Sequence, residues 1–368
     1  MPTRWLRGLE DHPNASRGSR KSMERVRVEK DIFVRGNGTR LPETLLVSDA
    51  IASGECDPRL VRRTEVVSVA VSPRESAAEM AVVAARVALE RAGSTSADVD
   101  LILHADTYHQ GQDLWPVASY IQRETVRNTC SAIEIRQMSC GGMAAVDLAT
   151  SYLTAQPGRA DALLTTADRM CLPGVNRWST DPGTPYADGA TAIVLSTRGG
   201  YAKLRSIVMY ADSELEGVHR GDEPFSPAPF SHRIPVDFEA AKQAFTRQFG
   251  LSFAIQRVNA SQRFAIKQAC ADADAELAEM DWVILPHFGH RRLEVGYFRE
   301  FGIDPARTTW EWSRTIGHLG AGDQFASLGY LVDTGRAKPG DRCLMVGVGA
   351  GYTWGCAVVD IIAHPGWV

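Results

Sequence analysis

Ala97-Asp98-Val99-Asp100-Leu101-Ile102-Leu103-His104 returns later in the chain as Ala278-Glu279-Met280-Asp281-Trp282-Val283-Ile284-Leu285. From Asp100 to Asp281 is 181 residues, and the same step carries Gly141-Gly142-Met143-Ala144-Ala145 onto Gly322-Asp323-Gln324-Phe325-Ala326. Pro157-Gly158 and Pro339-Gly340 match one residue out of step. A helical pattern precedes each apolar run, Ala77 to Ala92 and Arg263 to Leu277, and each copy closes on a strand-like run, Ala190 to Ser196 and Cys356 to Ile362. A period this long means a duplicated domain rather than a solenoid. Strands alternating with helices in each copy imply mixed sheets covered by helices. The expected fold is therefore α/β: two duplicated halves, 23–200 and 201–368, packed as a five-layer α/β/α/β/α body. The helices that open at Gly141 and Gly322 are expected to meet near a pseudo-twofold axis, bringing Cys140 and Asp323 towards one site.

Composition narrows the class. The 368 residues are 44% hydrophobic and 23% charged, the balance of an ordinary globular protein. A net charge of −4 gives no reason to expect nucleic-acid binding, and no stretch is apolar enough to span a membrane. Seven cysteines without a Cys-x-x-Cys pair fit reduced thiols and a cytoplasmic location better than a disulfide framework or a zinc site. Residues 1–22 hold Arg4, Arg7, Arg17, Arg20 and Lys21 but no apolar core, so they read as a disordered leader or an alternative start before Met23 rather than a secretory signal. The segment 205–250 has no counterpart in the first half. Its prolines (224, 227, 229, 235) and phenylalanines (225, 230, 238) suit either a surface loop or a cap over a substrate entrance.

The chemistry centres on Ile135-Arg136-Gln137-Met138-Ser139-Cys140-Gly141-Gly142, where a strand-like run ends on a thiol and an Ala-rich amphipathic run begins. A thiol at a helix N-terminus faces unpaired N–H groups and the positive end of the dipole, which favour thiolate. Two glycines behind it allow close approach. A buried core cysteine is the plain alternative. Cys140 is expected to be a nucleophile that carries an acyl group.

Taken together, Gln137-Met138-Ser139-Cys140-Gly141-Gly142, Tyr186-Ala187-Asp188-Gly189-Ala190, Leu285-Pro286-His287 and Gly349-Ala350-Gly351-Tyr352-Thr353-Trp354-Gly355 resemble the thiolase superfamily, most closely β-ketoacyl-acyl-carrier-protein synthase III. The resemblance spans essentially everything after Met23. It implies a thiolase-like five-layer fold, a homodimer, and an acyl thioester delivered on a phosphopantetheine arm by an acyl carrier protein or CoA, with no bound cofactor. It makes His287 the catalytic base, and the backbone N–H groups of Cys140 and Ala350 the oxyanion hole. Arg63 and Arg292 match family arginines of the donor and carrier-protein surface, while Arg59 stands where an adenine-stacking Trp is common. Asp188 reads as a turn-pinning carboxylate. His290 forms His-x-x-His with His287, but no third metal ligand lies at suggestive spacing.

One departure bears on reaction type. In Ile316-Gly317-His318-Leu319-Gly320-Ala321-Gly322-Asp323 the family's Asn position holds His318, a possible auxiliary residue, and Asp323 follows at the helix start. Decarboxylative condensation needs hydrogen-bond donors where enolate charge develops, and an ionised Asp only accepts. Asp323 is expected to orient His287 in a Cys140–His287–Asp323 triad, although an N-cap role is also open to it. The expected activity is acyl transfer, through acyl-Cys140, to a hydroxyl or amine of a sugar, cyclitol or other natural-product acceptor. The rivals are a carbon–carbon-forming synthase III, with His318 as the missing donor, and a non-catalytic synthase partner subunit. Pocket size is expected to depend on Trp115, Trp178 and the insertion.

Overall fold

The computed structural model describes residues 30–367. The leader 1–22 lies outside the described residues. Among the described residues there are eleven strands: β1 (Ile32–Arg40), β2 (Thr44–Leu46), β3 (Ser68–Ala70), β4 (Val99–Ala105), β5 (Ser131–Ile135), β6 (Asp161–Asp168), β7 (Gly189–Ser196), β8 (Ala202–Ala211), β9 (Trp282–Ile284), β10 (Arg342–Gly349) and β11 (Thr353–Ile361). The helices of eight residues or more are α1 (Ala77–Ala92), α2 (Val117–Glu124), α3 (Gly141–Thr154), α4 (Phe238–Phe249), α5 (Leu251–Asp272) and α6 (Asp323–Asp333).

The duplication is visible in the sheet. Strands run in the order β5-β4-β6-β7-β1-β8-β11-β10-β9. In the first half β4 pairs parallel with β6, then β6–β7 and β7–β1 are antiparallel. The second half repeats this with β9 parallel to β10, then β10–β11 and β11–β8 antiparallel. The halves join where Ile32–Val34 of β1 meets Ala202–Leu204 of β8. Strands β6 and β7 are buried along their whole length, as sheets covered on both faces require.

Helices α3 and α6 form the middle layer, each touching strands of both halves, while α1 covers the outer face of the first sheet and α5 that of the second. The start of α1 is fixed by a capping box between Ser76 and Glu79, and its end by Gly93 in the left-handed conformation. At the centre the two middle helices begin almost in contact. A Cβ on Gly142 would fall 2.5 Å from the Ala321 carbonyl oxygen, so only glycine fits there. No helix among the described residues is long and apolar enough to cross a membrane.

Two boundaries differ from expectation. Residues 205–211 belong to β8, the counterpart of β1, so the unmatched insertion begins at Asp212. Helix α5 starts at Leu251, twelve residues before the expected Arg263, because Gly250 at φ 90° ends α4 and lets the chain turn straight into a second helix.

Candidate active site

The strand β5 delivers the chain to a tight turn, Met138–Cys140, that leads directly into α3. Met138 takes φ 50°, a left-handed backbone that is uncommon outside glycine and often marks a site where geometry is imposed. The turn separates its two nucleophilic neighbours. Cys140 is fully buried and continues the apolar stripe of α3 through Met143, Val146, Ala149 and Leu153. Burial raises its thiol well above the ordinary value, against thiolate formation. Its backbone N–H is already given to the Gln137 carbonyl at 3.2 Å.

Ser139 faces the opposite way, into the cavities. Its Oγ lies 2.7 Å from His318 Nε2, and His318 Nδ1 lies 2.6 Å from Asp323 Oδ2. The directions follow from chemistry. A carboxylate only accepts, so Nδ1–H donates to Asp323; Nε2 of the neutral ring then accepts, and the Ser139 hydroxyl donates. Asp323 is wholly buried and also accepts from the backbone N–H groups of His287 and Leu319, each at 2.8 Å. Burial alone would raise its pKa, but the neighbouring His287 and His318 rings and these hydrogen bonds outweigh it and hold the carboxyl below the usual carboxylate range.

His287 does not reach the cavity. Its Nδ1–H donates to the Gly317 carbonyl at 2.9 Å, leaving Nε2 to accept from the Ser327 hydroxyl at 2.8 Å. Asp323 Oδ1 stands 3.4 Å from the same Nδ1, farther than the Gly317 oxygen. Trp312 packs edge-on against it at 5.6 Å, and burial pushes the ring towards the neutral form. The expected Cys140–His287–Asp323 relay is therefore not assembled. Asp323 joins it at one corner, but the relay that forms is Ser139–His318–Asp323.

Two cavities meet at Ser139. One, of about 310 Å³, is the more polar of the two, with Asp181, Lys242 and Arg292 in its wall together with His219, His318 and Ala350. The other, of about 430 Å³, is largely apolar, with Tyr108, Met138, Met170, Val175, Phe230 and Phe238 in its wall. Ser139, Tyr186, Phe238 and Ala350 border both. The insertion thus walls the site as a cap does, through His219, Phe230, Phe238 and Lys242. Trp115 and Trp178 line neither cavity: Trp115 packs on Tyr120, and Trp178 is in the core.

In the polar cavity two cations share one anion. Arg292 grips Asp181 with two bonds of 2.7 Å, and Lys242 reaches the same carboxylate at 2.5 Å. Asp181 stays ionised, well below its ordinary pKa, because the attraction of Arg292 and Lys242 overcomes the burial that opposes it. Arg292 is half-buried and lines this cavity, bound to Asp181, whereas Arg63 and Arg59 are exposed, the latter paired with Asp57. His290 lies 3.3 Å from Glu65, against Phe298 and Trp310. Asp188 accepts from the Ser72 and Met170 N–H groups and from Arg177, holding a buried turn. The Ala350 N–H donates no hydrogen bond among the described residues, and Ala350 borders both cavities.

Sequence reasoning missed Ser139, Asp181, His219 and Lys242. For Ser139 a signal existed: Cys140, Met143 and Val146 recur every three residues as an apolar stripe, which assigns the cysteine to the core and its neighbour to the other face.

Comparison with known proteins agrees with this architecture. Residues 270–361 match the C-terminal family of 3-oxoacyl-[acyl-carrier-protein] synthase III. The chain is 35% identical to the acyltransferase ChlB3, covering 92% of this chain and 100% of that one, with a TM-score of 0.88. It is 27% identical over 332 residues to the β-ketoacyl-[acyl-carrier-protein] synthase III of Thioalkalivibrio sulfidiphilus, covering 89% of this chain and 98% of that protein. The Aquifex aeolicus synthase III superposes with a TM-score of 0.71 at 21% identity, covering 89% and 99% of the two chains. The protein is a thiolase-superfamily enzyme. Within that superfamily it belongs to the synthase III-like family.

Proposed function

We propose that the protein is an acyltransferase that works through an acyl-Ser139 intermediate. The observation that carries the reading is the continuous relay from Ser139 Oγ to His318 Nε2 and from Nδ1 to Asp323, placed where two cavities meet. Ser139 Oγ attacks the carbonyl carbon of an acyl thioester while His318 Nε2 takes the hydroxyl proton, and Asp323 stabilises the resulting imidazolium. The Ala350 N–H supports the oxyanion. Collapse expels the thiolate, which recovers the proton from His318 and leaves the acyl ester. An acceptor hydroxyl or amine then gives its proton to His318 as it attacks the ester, and His318 passes that proton to Ser139 Oγ as the serine leaves.

Acyl transfer is favoured over carbon–carbon condensation for a physical reason. A malonyl enolate needs two free side-chain donors, yet His287 is spent on Gly317 and Ser327 and His318 on the relay. The name of ChlB3, an acyltransferase, points the same way. The donor is an acyl group on a phosphopantetheine arm, with an acyl carrier protein as the natural carrier in keeping with the synthase III relatives. A sugar, cyclitol or other natural-product scaffold suits the polar cavity as acceptor. A homodimer would cover β5, an edge strand whose Ile133 is 49% exposed. Seven free thiols fit a cytoplasmic enzyme.

Intact-protein mass spectrometry after incubation with acyl and malonyl thioesters tests the reading. The expected result is one acyl adduct that is lost in Ser139→Ala, kept in Cys140→Ala, and formed without release of carbon dioxide from the malonyl thioester. An adduct that depends on Cys140, or rapid decarboxylation, overturns it.

A further inference from the structure

The polar cavity contains a third histidine with no part in the relay. His219 sits in the short helical turn Gly217–Arg220 of the insertion and borders the same cavity as Ser139, His318 and Ala350. Its ring is held between Phe238, edge-on at 5.1 Å, and Tyr352 at 5.2 Å. The Gly351 N–H donates to His219 Nδ1 at 3.3 Å, and an acceptor nitrogen in a neutral imidazole places the proton on Nε2. Burial, reinforced by the positive charge of Lys242, pushes the ring down to about 4, so it is neutral near pH 7. The Nε2–H has no partner among the described residues. It is therefore a fixed, neutral donor with an open end.

Two further unpaired donors lie in the wall around it. Among the described residues, Tyr297 Oη and Trp354 Nε1, on residues 2% and 0% exposed, are buried without partners, and the one carboxylate in the wall, Asp181, is consumed by Arg292 and Lys242. Unpaired buried donors cost stability, and a wall holding several of them calls for a ligand that brings acceptor oxygens.

We propose that His219 is a substrate-contacting residue whose Nε2–H donates to a carbonyl oxygen of the acyl donor as that donor is brought over Ser139. The inference rests on the acyl-Ser139 reading. It assigns to the insertion a direct part in donor recognition. The oxygen belongs either to the acyl carbonyl or to an amide of the pantetheine arm; both present the same acceptor chemistry.

Two substitutions separate this from a purely structural role. In His219→Gln the amide nitrogen falls near the place of Nε2, whereas in His219→Asn the amide oxygen falls near the place of Nδ1 and can still accept from Gly351. The measurement is the single-turnover rate of acyl-Ser139 formation, followed by intact mass, with acetyl-CoA and with S-ethyl thioacetate, a thioester that carries no amide. His219→Asn is expected to lose about 100-fold in rate, and His219→Gln to retain most of it. A loss with both thioesters assigns the oxygen to the acyl carbonyl; a loss with acetyl-CoA alone assigns it to the arm. Asn within about threefold of wild type, or Gln impaired while Asn is active, overturns the proposal. If Ser139 itself is not acylated in the wild type, the acyl-Ser139 reading fails instead. The donor state of His219 is then read directly from its ¹⁵N shifts at pH 7, where a proton on Nδ1 or a charged ring overturns the inference.

Discussion

The two halves begin their middle helices at matching places and use those places differently. In the first half, Met138–Cys140 turns one side chain outward and the next inward, so Ser139 reaches the cavities and Cys140 joins the core. In the second, Gly320–Gly322 brings Asp323 to the helix start with no exposure at all, gathering three donors onto one carboxylate. One start supplies a reactive group to solvent-accessible space and the other supplies a fixed charge behind it. His318 lies between them, bonded to each at under 3 Å. The lesson is that a duplicated scaffold provides two equivalent helix starts, and that each is used through a different position: Ser139 before the first helix, and Asp323, which matches Gly142, at the start of the second.

Breaking the second anchor is expected to have the largest effect. Asp323→Asn keeps the shape but offers an amide where His318 Nδ1–H needs an acceptor, and acylation of Ser139 should fall by about 10³- to 10⁴-fold, read by single-turnover mass spectrometry. Retention of more than a tenth of the rate would detach Asp323 from the relay.

The two histidines sharpen the comparison. His287 packs behind Asp323 and His318 in front of it, so His287→Asn should cost about 1–3 kcal/mol of stability while acylation stays within about tenfold of wild type. The same variant should change acid behaviour. A buried histidine held neutral has a folded pKa below its unfolded value near 6.5, so the unfolded chain binds more protons and stability falls as pH drops below about 6.5. Removing His287 should flatten the loss of Tm between pH 6.5 and 5. Equal loss of acylation in His287→Asn and His318→Asn would return His287 to the chemistry.

A smaller effect tests the floor beneath the second anchor. Asp168 accepts from the Thr107 and Tyr108 N–H groups through Oδ1, but its Oδ2 is buried without a partner among the described residues, facing Gly320 so closely that a Cβ there would fall 2.1 Å away. Burial raises its pKa to about 7. A folded pKa above the unfolded value gives stability that is complete below about pH 4 and is lost as pH rises through 7. Asp168→Asn removes that ionisation and should stabilise the protein by about 1–2 kcal/mol at pH 8 and much less at pH 5. A Tm gain equal at both pH values would show that the carboxyl does not titrate.

Much of the fold could be read before any coordinates. The 181-residue repeat predicts the paired strands β4 and β9 and the paired helices α3 and α6, because hydrophobic periodicity and glycine spacing are local properties of a chain. The site was legible only in part. Asp323, His318 and Ala350 stand at the cavity or directly behind it, as the motifs suggested. Cys140 and His287 do not, since a motif gives a residue's place along the chain but not the rotation of its side chain.

What the sequence determined by itself was the duplicated α/β architecture and the neighbourhood of the chemistry: the turn before Gly141, the Gly317–Asp323 segment and the Gly349–Gly351 turn. Only the tertiary structure decided that Ser139 and His318, rather than Cys140 and His287, face the cavity, and which insertion residues do. Those choices depend on a left-handed residue at Met138, on hydrogen bonds from Asp323 to segments far apart in the chain, and on Phe238, Lys242 and His219 closing over the site. Each is a non-local contact, and one residue of rotation about a helix start exchanges a buried thiol for an accessible hydroxyl.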